Sequence, residues 1–338
     1  MRIVDKESAN SYWSKRTAHN LSRKGKKYNP NKIQYKEVLG WHYISVPPQL
    51  DLYNEESRDA TLDFIESIRQ HSLSHKVMLD CSTAKSFSAA ATLLLYSTID
   101  RLKSNDAHRL VRFKGQKGDV KLIIEKTGLK SLTLQQDCTI TDCKVDILPI
   151  VKGTARGEEF EQVIDYVQHQ IYKNNMSPEQ ENVWGAAVGE TVSNVKLHAY
   201  EDADEKPWWI ICSVIGDDLY LAICDQGVGI PNTIKKQGWI NSLVQNSPAL
   251  VRKMLSSNDS DAIELSMTIG ESSTNQQKHG LGSQSIRALV EKNPDGALWV
   301  FSNHGVYYKN RDSSKPELRD FGGSISGTIV QWNIKLNG

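Results

Sequence analysis

"WWIICSVIGDDLYLAICDQGVGIP", residues 208–231, decides how this chain is read. Two apolar runs, "WWIICSVI" and "DLYLAICD", are joined by a "GDD" turn, so the stretch predicts an antiparallel hairpin of buried strands. The second strand ends in Asp225 and passes into Gly227, Gly229 and Pro231. Glycines directly after a strand let the backbone approach a flat ligand or a phosphate. A carboxylate there can accept a hydrogen bond from an exocyclic amine such as that of adenine. Alone, the same residues also suit a turn with a capping aspartate.

Upstream, residues 178–200 carry a helical pattern. Trp184, Val188, Val192, Val195 and Ala199 form one apolar stripe, and Glu190, Asn194 and His198 fall on the opposite side at four-residue intervals. That spacing alone suits a solvated polar face better than a site. Downstream, "KHGLGSQSI" (278–286) sets Gly280 and Gly282 before a helix, whose main-chain N–H groups could hold an anion. In "GGSISGTIVQW" (322–332), Gly327 and Thr328 open the final strand.

In this order the four elements resemble the GHKL family of ATP-binding domains, which includes DNA gyrase, MutL, the histidine kinases and the anti-sigma-factor serine kinases. "GETVSNVKLHAY" (189–200) resembles the family's Glu-x-x-x-Asn box, and its His-Ala-Tyr is most similar to the serine kinase branch. "CDQGVGIP" resembles the Asp-x-Gly-x-Gly box, "GLG" the second glycine box and "SGT" the closing Gly-Thr. The resemblance covers about 155–338. It implies an α/β sandwich with a mixed sheet covered on one face by helices, binding ATP with Mg²⁺. It also implies roles. Asn194 becomes the magnesium ligand and Glu190 the general base. Asp225 receives the adenine amine, supported by Thr328, while Gly227 and Gly229, with Ile230 beside them, give room for the base. Gly280, Leu281 and Gly282 lie against the phosphates, and 231–279 is a lid; no Arg or Lys of the boxes is itself a marked γ-phosphate partner, and Lys278, beside the glycines, is the candidate for that role. His198 is as well explained by helix packing as by a phosphate contact, and Lys196 carries no role.

The N-terminal part reads differently. Residues 1–40 hold ten Lys and Arg against three acids, so this segment is +7 in a chain of net charge +1. It is expected to be an arm (1–39), free or on a partner; nucleic-acid contact through it is not the favoured reading. "GWHYISVP" and "HKVMLDCS" read as strands, and 55–71, 88–104 and 118–129 as helices, which suggests a small α/β module. "HKVMLDCSTAKSFSAAATLLLYSTIDRLKS" resembles a STAS domain, the fold of anti-sigma-factor antagonists. Where that fold carries Asp-Ser-Ser, this chain has Ser88, Ala89 and Ala90, so the usual phosphorylation is not expected. The division expected is therefore 40–145 STAS-like and 146–338 GHKL-like, with 138–157 a connection.

No apolar run approaches a membrane span, and the N-terminus lacks the apolar core of a signal peptide. The odd count of five cysteines, mostly in strand-like runs, reads as reduced thiols and a cytoplasmic location. Three functions follow from the resemblance: a nucleotide-driven regulatory switch with slow hydrolysis, a protein serine kinase, or a non-catalytic ATP-dependent interaction module. The expected partners are ATP, another protein or the chain's own STAS-like part, and a second copy, with no membrane.

Overall fold

The computed structural model describes residues 37–104, 110–134, 147–154, 159–200, 205–236, 258–272, 282–293 and 295–336. Residues 1–36 of the basic arm, Cys138, Cys143, Lys278, Gly280 and Leu281 lie outside the described residues, while Glu37–Val38 of the expected arm form a strand of the N-terminal sheet.

The N-terminal unit runs β1 (Glu37–Val38), β2 (Trp41–Ser45), β3 (Gln49–Leu50), α1 (Glu55–Ser72), β4 (Lys76–Asp80), β5 (Ser86–Phe87), α2 (Ala89–Ser104), β6 (Val111–Lys114), α3 (Gly118–Lys126) and α4 (Leu129–Leu134). Its main sheet has the order β1-β2-β4-β6, with β2, β4 and β6 parallel. Parallel neighbours need long crossovers, and α1 and α2 supply them. His42, Ile44, Val77, Leu79 and Val111 point to the helices and are buried. The helix expected over 118–129 breaks at Gly128, where φ is 84°, a value that L side chains rarely adopt.

The second unit runs β7 (Ile147–Gly153), α5 (Glu161–Tyr166) with a π-helical turn Val167–Ile171, and α6 (Pro178–Asn194) with a π-helical turn Val195–Ala199. Then come β8 (Trp208–Ile215), β9 (Asp218–Asp225), α7 (Ile230–Lys236), α8 (Asp259–Ser272), α9 (Gly282–Glu291), β10 (Ala297–Ser302), β11 (Gly305–Asn310), β12 (Glu317–Asp320) and β13 (Thr328–Lys335). The hairpin forms as expected, from Trp208↔Asp225 to Ile215↔Asp218, with Gly216 at φ 63° in its two-residue turn. The seven strands are ordered β12-β11-β10-β13-β9-β8-β7. Every neighbouring pair is antiparallel, not mixed as the resemblance implied.

Both faces of this sheet are covered, one by the helices of its own unit and the other by the N-terminal unit. On one face Leu219, Leu221, Ile223, Val330, Trp332 and Val300 pack with Trp184, Val188 and Val192 of α6 and with Ile286 and Leu289 of α9. On the other, Trp209, Ile211, Ala222, Cys224, Phe301, Val306 and Ile329 belong to one continuous core with the N-terminal unit, whose α2 lies across β8 and β9. Polar contacts stud this seam: Trp209 Nε1 donates to Asp100 Oδ2 (3.1 Å), and Tyr53 Oη donates to Gln331 Oε1 (2.9 Å). Burying a large apolar side chain is worth about 1.5–3 kcal/mol, and one hydrogen bond about 1 kcal/mol net. The apolar seam therefore holds the units together, and the polar contacts fix their register. The molecule is thus a mixed α/β protein.

Candidate functional site

The register places one row of residues at one end of the large sheet. Asp225 lies opposite Trp208 on one side and Thr328 on the other, and Thr328 lies opposite Ser302. Directly opposed residues share a face, so all four side chains lie on the α6 side. Trp208 needs Gly153 beside it: a Cβ there would meet the indole at 2.0 Å. Asp225 is buried. Its Oδ1 accepts the Gly227 N–H (2.8 Å), and the Thr328 main-chain N–H also donates to the carboxylate. Burial outweighs these donors and pushes the carboxyl up to about 7. Near neutral pH the group is poised between an acceptor and a neutral acid.

The chain after Asp225 is pinned on two sides. Val228 N–H donates to Ala199 O (2.8 Å), and Gln226 N–H donates to Tyr200 Oη (3.0 Å). A Cβ on Gly227 would come within 2.0 Å of Ala199 O. Gly229 has φ 83°, and a Cβ on it would lie 2.6 Å from Asn303 Oδ1. These two glycines were expected to leave room for a ligand. Their missing Cβ atoms let the loop close against the end of α6 and against Asn303.

Ser302 and Asn303 complete the cluster and were not singled out from sequence. Ser302 Oγ accepts the Ile230 N–H (2.9 Å), donates to Gly327 O (3.1 Å) and lies 3.1 Å from Thr328 Oγ1. Asn303, at φ 50° in the β10–β11 turn, donates from Nδ2 to Val228 O (3.1 Å) and accepts the Gly327 N–H at Oδ1 (3.3 Å). It staples the Asp225 loop to the turn before Thr328. The one local signal was an asparagine in the short hairpin turn "SNHG".

α6 carries the remaining groups. Ser177 and Gln180 form a capping box at its start, with Pro178 at the first helical position. Trp184, Val188, Val192, Val195 and Ala199 are all buried, as the stripe predicted. Glu190 and Asn194 are half-buried, one turn apart on one side of the helix. Burial alone pushes the Glu190 carboxyl upward. The His198 side chain is exposed, and its carbonyl accepts from Thr233 Oγ1 (3.4 Å). Within His-Ala-Tyr it is Ala199 and Tyr200 that meet the Asp225 loop. Gly282 opens α9, which packs against α6. Near that helix start Ser283 is buried, and its hydroxyl has no partner among the described residues.

The structure thus brings Asp225, Gly227, Gly229, Ile230 and Thr328 into one hydrogen-bonded cluster, abutted by the end of the helix that bears Glu190 and Asn194. Among the described residues no group of three or more His, Cys, Asp or Glu side chains could hold a metal. No described helix is long and apolar enough to cross a membrane. Comparison with known protein families and with characterised proteins returns no match.

Proposed function

We propose that this chain binds Mg-ATP in the manner of the GHKL domains that its boxes resemble, and that it works as a nucleotide-driven switch with slow hydrolysis. The observation that carries the reading is the buried Asp225 at the end of β9. It shares a row with Thr328 and lies beside the turn that receives the end of α6. A desolvated carboxylate is a strong acceptor for an adenine amine. The Ser283 hydroxyl near the N-terminus of α9, which has no partner among the described residues, suits a phosphate, because a helix start presents N–H groups and a positive dipole end.

The residues present fit a magnesium ion that arrives with its nucleotide. Asn194 offers one hard oxygen ligand, and Mg²⁺ is commonly held by one or two protein groups plus phosphates and waters. The bound ion would supply charge neutralisation on the phosphates. Glu190, raised by burial, is suited to orient an attacking hydroxyl or water and take up its proton.

Purified protein titrated with Mg-ATP should bind it. Asn194→Ala and Asp225→Ala should each lose binding. Glu190→Ala should bind normally and lose about 10²- to 10⁴-fold in phosphate release, the usual worth of a general base. A second reading, a protein serine kinase, is favoured by His198-Ala199-Tyr200; it predicts label on a protein acceptor in the same assay. Binding without release or transfer would leave an ATP-dependent interaction module. The absence of any Mg-ATP binding would remove the proposal.

A further inference from the structure

We infer that the N-terminal unit positions the base-binding loop of the other unit, with Arg101 and Gln226 as the positioning residues. The inference rests on the nucleotide reading of Asp225.

Gln226 lies between Asp225 and Gly227. Asp225 faces α6, and alternation turns Gln226 to the opposite side, toward the N-terminal unit. There α2 holds it at three points. Arg101 Nη1 donates to its main-chain carbonyl (2.8 Å), and its Nε2 donates to Ser97 Oγ (2.7 Å) and Thr98 Oγ1 (3.2 Å). The Gln226 N–H is held by Tyr200 Oη, and the Arg101 guanidinium lies over that same tyrosine ring, 6.0 Å from its centroid. Helix α2, the end of α6 and the loop thus close into one ring of contacts around a single residue.

A second arginine of the N-terminal unit grips the far end of the loop. Arg58 is fully buried, and its Nη2 donates to Asn303 O (3.1 Å) and Gly323 O (3.4 Å). Asn303 holds Val228 O and the Gly327 N–H. The Nε and Nη1 groups of Arg58 have no partner among the described residues. A buried cation with unpaired donors is a poor source of stability. Its placement is accounted for by what it holds.

Loops that must present a carboxylate and N–H groups at fixed places bind better when pre-ordered. Here the ordering contacts come from a different unit, so the α2 contacts and filling of the Asp225 site favour the same loop geometry. Such coupling is reciprocal.

The test uses the full chain and compares wild type with Arg101→Met, Arg101→Lys, Gln226→Ala and Asp225→Ala. Mg-ATP affinity is read by equilibrium titration, and amide hydrogen exchange is followed over 97–101 and 226–230. Arg101→Met and Gln226→Ala should each weaken Mg-ATP about tenfold, within the usual range of coupling. Both should speed exchange over 226–230 before nucleotide is added. Arg101→Lys, which keeps a cationic donor for the Gln226 carbonyl, should recover most of the affinity. Nucleotide should slow exchange over 97–101 in wild type. If Asp225→Ala abolishes binding while Arg101→Met and Gln226→Ala bind like wild type with unchanged exchange, the inference is overturned and the nucleotide reading stands. Wild type that binds no Mg-ATP overturns both. Should Arg101→Met fail to melt cooperatively, Gln226→Ala decides by the same two readouts, because it removes only side-chain bonds.

Discussion

Asp225 shows how one position can be set by both sequence and fold. Its folded pKa of about 7 lies well above the ordinary value of 3.8, so folding favours the protonated form. The stability this gives is complete below about pH 4 and is lost as pH rises through about 7. Denaturant melts of wild type and Asp225→Asn at pH 5 and pH 8 should show it: the wild type loses stability relative to the variant at the higher pH. Nucleotide binding should run the other way, strengthening from pH 6 to pH 8 as the carboxylate ionises, and Asp225→Asn should flatten that dependence. Gly227 offers a second test. A Cβ there meets the Ala199 carbonyl, which is backbone and cannot swing aside. Gly227→Ala should therefore cost about 1–3 kcal/mol, as overpacking does, read as a lower denaturation midpoint. Asp225, Gly227 and Thr328 were legible in the sequence because their signals are local, a few residues after or before a strand. Ser302, Asn303 and Gln226 were not. Their partners are brought in by strand register and by the packing of another unit, which no spacing along the chain displays.

At the scale of elements, periodicity found the longer helices and the apolar hairpin, because a stripe or a run is written directly in residue order, but not the short α4 (Leu129–Leu134). It did not find the π-helical turns that end α5 and α6, nor the edge strand β7. That strand contains Pro149 and carries a register shift between Leu148 and Val151. Proline is tolerated there because β7 is the last strand of the sheet. β12 was missed because it is short and polar and also lies at an edge. α6, the helix that bears Glu190 and Asn194, opens on a capping box. Ser177 Oγ accepts the Gln180 N–H (3.2 Å), while Gln180 Oε1 accepts the Ser177 N–H (2.9 Å). Ser177→Ala breaks one arm of this box and should cost about 1 kcal/mol. The loss should appear in a denaturant melt. Because the cap lies more than three turns from Glu190, phosphate release per folded molecule should not change.

The largest discrepancy between sequence and structure concerns the whole molecule. "WWIICSVI" is apolar at nearly every position, and a strand covered on one face alone usually alternates with polar residues. The second cover is the N-terminal unit, and its identity could not be read from the strand itself. Trp209, Ile211, Cys224, Phe301 and Ile329 share a core with Leu94, Leu95 and Ile99 of α2. Neither unit closes that core by itself. Full-length protein should then melt in one calorimetric transition, with calorimetric and van't Hoff enthalpies in agreement. Trp209→Ala, which removes a fully buried ring from the seam, should cost about 3–5 kcal/mol and lower that single transition without splitting it. Two transitions, with only one of them moved by the substitution, would mean that each unit completes its own core. The surface between them would then be a docking face that can open. One transition that shifts as a whole means that α2 cannot leave β8 and β9 while the sheet stays folded, so any signal passing between the units must travel through small shifts at contacts such as Arg101 and Gln226.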